Sequence, residues 1–204
     1  MKEFIKKDIL YIKAYHKFNL LISLVFILSA AARMGNNFFA IYGVLFLAMI
    51  SASLISYDET EQFIFYAVSI PKGREKLVSS KYISNLIVCA CGIFTALLFF
   101  LAMGWIKAEG ETENMCMLLS TLCVVSMGIP AIMMPFNFAL GVKKGRLPGM
   151  LAIGAIFGAI TYLGILFDNG SVADYALLLI ALGSLVLYGV SWCISLKIYK
   201  KKSF

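Results

Sequence analysis

The sequence predicts an all-α membrane protein with six transmembrane helices, and three observations support this fold class. Hydrophobic residues make up 61% of the 204 residues, whereas soluble domains contain roughly 45–50%. Charged residues make up only 14%, against about 25% in soluble domains. The apolar residues fall in long continuous runs, which are typical of helices and not of the alternating strands of a β-barrel.

Six nearly charge-free runs are each predicted to form one membrane span, because a bilayer core of about 30 Å needs roughly 20 apolar residues per helix. The chain is therefore expected to be a single transmembrane domain over residues 1–204. The first run is short and needs the flanking Lys17 and Arg33 to reach the two interfaces. The predicted spans cover residues 18–32, 38–55, 82–106, 115–140, 150–167 and 175–196.

The distribution of Lys and Arg predicts that both termini lie in the cytoplasm. Of the 18 basic residues, 16 lie in the N-terminal segment, the loop after span two, the loop after span four and the C-terminal segment. The positive-inside rule places these four segments on the cytoplasmic side. Topology thereby accounts for the net charge of +7, and nucleic-acid binding is not expected.

Residues 2–17 are predicted to form an amphipathic helix that lies in the cytoplasmic interface before span one. Four lysines fall on one stripe at 3.6 residues per turn, and apolar residues lie mostly on the other side. A simple basic tail is the alternative. The lysines of the stripe are Lys2, Lys6, Lys13 and Lys17.

The loop at residues 56–81 is predicted to contain a short amphipathic cytoplasmic helix. Ser56 and Glu59 fit a capping box at its start. Pro71 ends the helix, and a second helical stretch begins near Arg74 and runs into span three. A helix that merely rests on the membrane surface is the alternative. The apolar positions at helical spacing are Phe63, Tyr66, Ala67 and Ile70.

Span four contains residues that are predicted to bend or break its helix. Two prolines five residues apart remove helix hydrogen bonds, and such breaks can line a transport path. A tolerated kink is the alternative. The residues concerned are Gly128, Pro130, Pro135 and Asn137.

Span five carries a GxxxG pattern formed by Gly154 and Gly158. Small residues at this spacing let two helices approach closely. Packing within one chain and packing between two chains are both compatible with the pattern.

The sequence shows no motif for catalysis, metal binding or ATP binding in this chain. It lacks a phosphate-binding loop, the five cysteines form no CxxC pair, and His16 is the only histidine. No Asp, Glu, Lys or Arg lies inside a predicted span core, which disfavours an intramembrane ion relay. We therefore expect a non-catalytic membrane body without a resident cofactor, driven by energy from another chain.

The cytoplasmic loop resembles that of the permease subunits of bacterial type-2 ABC exporters. The matching segments are Ser56–Glu59 (SYDE) and Ser69–Tyr82 (SIPKGREKLVSSKY). Within this class the chain is similar to the phenol-soluble-modulin peptide exporter permeases. The predicted spans, interfacial helix and cytoplasmic termini agree with the family over nearly the whole chain.

This resemblance implies a multi-pass permease of the bacterial cytoplasmic membrane and a separate ATPase subunit that binds ATP and Mg²⁺. Two ATPase subunits would join two permeases, either copies or paralogues, surrounded by membrane lipid. The cytoplasmic helix would be a coupling helix that docks on the ATPase, and the cargo would be an amphipathic peptide or a lipophilic compound. The residues expected at the coupling contacts are Asp58, Glu59, Phe63, Tyr66, Pro71, Arg74, Lys143, Lys144 and Arg146.

Two other function classes fit a six-span membrane body. An ATP-independent carrier is disfavoured by the charge-free spans. A non-transporting membrane protein, such as an immunity protein or the partner of a sensor kinase, would co-purify with a kinase instead of an ATPase. An ATPase encoded beside this chain would favour the permease.

Overall fold

The computed structural model describes the backbone of residues 1–32, 38–107, 112–145, 147–154 and 170–201. All regular secondary structure in these ranges is helical, as the sequence predicts. Three predicted features lie outside the described residues, namely Arg146, Gly158 and most of span five.

The helices follow one another along the chain with short connections. They are α1 (Lys2–Tyr15), α2 (Lys17–Ala32), α3 (Phe38–Thr60), α4 (Phe63–Ser69), α5 (Gly73–Lys107), α6 (Thr112–Cys123), α7 (Ile129–Leu140) and α8 (Gly170–Lys201). A π-helical turn, Val124–Gly128, joins α6 to α7. Residues 142–145 and 147–154 are also helical.

Four stretches of the described helices are long and apolar enough to cross a membrane. They are Phe39–Thr60, Gly73–Ala102, Leu118–Leu140 and Leu179–Lys201. A fifth candidate is α2, which is long and apolar enough to cross a membrane only when it is counted together with α1. These two helices meet at an angle of 75°. The described part of the chain thus holds four or five candidate spans, and the number six stays a prediction.

The helix that was predicted to begin at Ser56 begins later in the chain. Helix α3 continues through Ser56 to Thr60, so the predicted capping box is wrong. The helix continues because Asp58 extends its buried face and is itself buried. Gln62 then adopts a left-handed backbone with φ 54°, which turns the chain into α4. Helix α4 ends shortly before Pro71, as predicted.

The prolines of predicted span four do not break its helix. Helical structure is continuous from Leu118 to Leu140, with the π-helical turn just before Pro130. Pro130 lies at the start of α7, where a missing N–H is best tolerated, and Pro135 lies inside α7. Of the predicted bend or break, the break is therefore wrong, and the bend stays a prediction.

Side chains of neighbouring helices donate hydrogen bonds to the two carbonyl groups that receive none from these prolines. A proline has no N–H for the carbonyl four residues earlier. The Cys89 thiol of α5 donates to the Ser126 carbonyl at 3.6 Å. The Ser191 hydroxyl of α8 donates to the Ala131 carbonyl at 2.6 Å. Helices α5 and α8 thereby stabilise the proline-bearing span.

Glycines mark the closest helix contacts. A Cβ at Gly43 would lie 2.9 Å from Ile27 Cγ1, and one at Gly92 would lie 2.2 Å from Leu47 Cδ1. No heavy atom of the described residues lies within 4 Å of a Cβ position at Gly154. Within the described part of the chain, Gly154 therefore lines no close helix contact.

Candidate functional site

Four charged side chains meet where α1, the last turn of α3 and the start of α5 come together. Asp8, Asp58 and Lys81 are 0%, 4% and 1% exposed, and Lys7 is partly buried. Lys81 Nζ lies 2.6 Å from both Asp8 Oδ1 and Asp58 Oδ2. Lys7 Nζ lies 2.5 Å from Asp58 Oδ1 and 3.7 Å from Asp8 Oδ1. We call this set, whose charges balance, the four-charge cluster.

The four-charge cluster ties three helices together. Asp8 comes from α1, Asp58 from the last turn of α3 and Lys81 from the third turn of α5. Ser84 Oγ also donates to Asp8 Oδ2 at 3.4 Å. Charges this deeply buried persist only when they are paired, so each helix depends on the others for its position. Burial is the main reason that the pKa of Lys7 lies below its usual value; the charge of Lys81 lowers it further and Asp58 raises it.

Sequence reasoning missed the four-charge cluster. The helical stretch predicted from near Arg74 includes Lys81, but the residue was counted among the basic residues of a cytoplasmic connection. The structure buries it against Asp8 and Asp58. One signal was available in α1. Asp8 lies four residues from both Phe4 and Ile12, and these three residues form the buried face of the helix. A carboxylate on an apolar helix face requires a basic partner elsewhere.

One side of α4 is fixed by α1 and by the start of α5. Lys7 Nζ lies 3.5 Å from the centre of the Phe63 ring, and Phe4 meets the same ring edge-on at 5.8 Å. Ala67 is buried, and a Cβ at Gly73 would lie 1.8 Å from its carbonyl oxygen. Only glycine therefore permits the tight corner between α4 and α5.

The other side of α4 is exposed. Phe65 and Tyr66 have 63% and 61% of their surface exposed, and Pro71 beyond the helix is also exposed. Of the two aromatic residues predicted for a coupling contact, Tyr66 faces outward and Phe63 packs inward. The helix thus presents a small aromatic surface on a firmly held base.

Glu59 brings the two predicted cytoplasmic loops together. Its carboxylate oxygens accept the N–H of Val142 at 3.1 and 3.3 Å. Gly141 has φ 80°, which favours glycine, and it turns the chain into the helical residues 142–145. Lys143 and Lys144 are exposed on this turn. Glu59 therefore stabilises the second loop instead of projecting outward.

Arg74 joins the start of α5 to the end of α8. Its Nη1 donates to the carbonyl of Lys200 at 3.0 Å. Lys200 Nζ in turn lies 2.9 Å from Glu75 Oε1, in an exposed ion pair. The structure thus gives Arg74 a partner within the chain.

Two contacts hold the C-terminal half of α1. The Tyr11 hydroxyl donates to the carboxylate of Glu61, and this hydrogen bond raises the pKa of Tyr11 to about 12. His16 is buried at the bend before α2, against the edge of the Tyr57 ring and beside the amide of Asn19. Burial lowers the pKa of His16.

The residues predicted for a transport path lie along one continuous span. Asn137 is 1% exposed, and its side-chain amide has no hydrogen-bond partner among the described residues. Its main-chain carbonyl accepts the N–H of Gly141 at 2.9 Å. Gly128 ends the π-helical turn, with no described atom within 4 Å of a Cβ position. The structure does not bring these residues to the four-charge cluster as one site.

A comparison with known protein families covers nearly the whole chain. A family model described as "ABC-2 family transporter protein" matches residues 3–200, which include α1, α4 and the four-charge cluster. No curated protein and no solved structure gave a significant match. The resemblance to type-2 ABC permeases is confirmed at the level of the family, and similarity to phenol-soluble-modulin exporters stays a prediction. The chain therefore belongs to the ABC-2 transporter family and is a multi-pass membrane protein of the permease type.

Proposed function

We propose that this chain is the membrane-spanning subunit of an ATP-driven exporter and that it couples to a separate ATPase subunit through α4. One observation carries the proposal, since α4 exposes Phe65 and Tyr66 while its opposite side is fixed to α1 and α5. Family membership supports the ATPase partner, because ABC-2 permeases work with one.

The anchoring of α4 suits a helix that transmits force. A helix of seven residues is marginal by itself and would yield under load. Here Phe63 is held by Lys7 of the four-charge cluster, and Gly73 leads directly into α5. Displacement of α4 would therefore move the candidate span that begins at Gly73.

The exposed residues around α4 suit a protein partner. Exposed aromatic side chains are frequent anchors of protein interfaces. Lys143 and Lys144 are exposed on the turn that Glu59 stabilises, and they would form the second, basic contact. ATP and Mg²⁺ would bind in the ATPase subunits, and two permeases would enclose the path for the cargo.

The interior of the described spans favours an apolar or amphipathic cargo such as a peptide or a lipophilic compound. Several of its polar groups bind one another, as when the Tyr82 hydroxyl contacts Ser191 Oγ at 2.8 Å and Ser195 Oγ at 2.7 Å. The buried charges among the described residues gather in the four-charge cluster, where they are paired. We therefore propose export of a cargo that enters from the lipid.

The test is reconstitution with a candidate ABC ATPase subunit, such as one found encoded beside this chain. A Phe65→Ala/Tyr66→Ala variant is expected to lose co-purification with the ATPase and the effect of the permease on ATP hydrolysis in proteoliposomes. Phe94→Ala is the matched control, because Phe94 is 61% exposed in the middle of α5. Normal complex formation by the double variant would contradict docking through α4.

A further inference from the structure

Helix α1 carries a second charged surface on the side that faces away from the four-charge cluster. Lys2, Lys6 and Lys13 are exposed, and at 100° per residue they fall within about 40° of one another. The buried residues Phe4, Asp8 and Ile12 lie on the opposite side of the helix. The three lysines thus form a stripe directed away from the rest of the chain.

Exposed aliphatic side chains border this stripe. Ile9 is 44% exposed and Leu10 is 57% exposed, and they lie on either side of the lysines. Near the bend that follows, Tyr15 and Phe18 are 61% and 73% exposed. Lysines flanked by apolar side chains suit the boundary between lipid headgroups and acyl chains, where long side chains divide between the two.

The orientation of α1 suits a helix that lies along a membrane surface. Helix α1 meets α2 at 75°, and α2 is a candidate span. Because spans tilt by about 20° on average from the bilayer normal, α1 runs close to the membrane plane. The contacts of Asp8 with Lys81 and of Phe4 with Phe63 fix the rotation of α1 about its axis.

We propose that the outward face of α1 binds the headgroups of anionic phospholipids. Lys2, Lys6 and Lys13 contact the phosphates, and Ile9 and Leu10 enter the acyl boundary. Each lysine near an anionic surface strengthens association about fivefold, so the stripe enriches such lipids around the protein. The exposed aliphatic side chains favour a lipid surface over an acidic protein surface. This inference does not depend on the proposed exporter function.

The experiment measures which lipid surrounds α1 in the full-length protein. The protein is reconstituted in vesicles of phosphatidylcholine and brominated phosphatidylglycerol. A second set of vesicles contains brominated phosphatidylcholine and unlabelled phosphatidylglycerol. A Leu10→Trp reporter is followed after Trp105→Phe and Trp192→Phe substitutions. We expect phosphatidylglycerol to quench the reporter several-fold more effectively than phosphatidylcholine at equal fraction, and high salt to reduce this preference.

Matched variants separate the stripe from general positive charge. The Lys2→Gln/Lys6→Gln/Lys13→Gln variant is expected to lose the preference for phosphatidylglycerol, whereas Lys143→Gln/Lys144→Gln is expected to keep it. Thermal unfolding of each variant shows whether it is folded. The proposal would be overturned if both brominated lipids quenched the Leu10→Trp reporter equally when the three lysines are present. It would also be overturned if the triple variant kept the preference for phosphatidylglycerol. Shielding of the reporter by added ATPase instead of lipid would overturn it as well.

Discussion

Removal of Lys81 from the four-charge cluster is expected to destabilise the folded protein strongly. Lys81→Met keeps the length of the side chain and deletes the charge. Asp8, which is 0% exposed, would then have Lys7 at 3.7 Å as its nearest cation within the cluster. Leaving a buried charge without its partner costs about 3–5 kcal/mol, and we expect a loss of this size in the free energy of unfolding.

The same reasoning gives a different result when both partners are removed. Asp8→Asn/Lys81→Gln deletes one charge of each sign and leaves the contact between Lys7 and Asp58 at 2.5 Å. Replacing a whole buried ion pair by well-packed apolar residues is often close to neutral for stability, and we expect the uncharged Asn and Gln to cost far less than one unpaired buried charge. In thermal unfolding of the purified protein in detergent, the single variant should melt roughly 6–20 °C lower and the double variant only slightly lower.

An exposed ion pair supplies the control. Glu75→Gln/Lys200→Gln removes a contact of 2.9 Å between side chains that are 42% and 56% exposed. Exposed pairs contribute little, so its melting temperature should stay close to that of the parent. The reasoning is refuted if Lys81→Met has the same melting temperature as Glu75→Gln/Lys200→Gln. It is also refuted if Asp8→Asn/Lys81→Gln is as unstable as Lys81→Met.

Three further predictions concern the corner after α4, the bend after α1 and the proline-bearing span. Gly73→Ala should lower the melting temperature sharply, since its Cβ would lie 1.8 Å from a carbonyl oxygen of α4, whereas Gly183→Ala, with open space around it, should not. Because burial lowers the pKa of His16, the unfolded chain binds its proton first, so stability should be constant above about pH 6.5 and fall below it. His16→Gln should reduce this acid sensitivity, and an unchanged pH profile of melting temperatures would contradict the assignment. Ser191→Ala should cost about 1–3 kcal/mol, and less in a Pro135→Ala background, where the carbonyl regains a helix partner.

The helix positions could be predicted wherever an apolar run is long and free of charge. Residues 38–55 and 82–106 lie inside α3 and α5, because such runs leave the backbone few alternatives. The start of α5 at Gly73 also agrees with the helical stretch predicted from near Arg74. The end of α3 could not be predicted in the same way. This helix continues past residue 55 to Thr60, since Asp58 beyond the apolar run finds its partner Lys81 on another helix.

The candidate site was predictable only in its local features. The end of α4 before Pro71 follows from proline chemistry. Helical spacing grouped Tyr66 with Ala67, whereas the structure exposes Tyr66 and buries Ala67. The positions of Asp58 and Arg74 depend on distant residues. Arg74 binds a carbonyl that lies 126 residues further along the chain, and no periodicity of the loop encodes such a contact.

The donors that serve the proline-bearing span also limit how the helices can move. Ser191 of α8 and Cys89 of α5 each reach one carbonyl of this span. If the proline-bearing span slid by one residue along α5 and α8, both carbonyls would lose their hydrogen-bond donors in an apolar environment. Each buried carbonyl without a donor would cost about 1–3 kcal/mol of free energy. Tilting of the three helices as one rigid body would keep both contacts. Any rearrangement that keeps both contacts should therefore move α5, α8 and the proline-bearing span together.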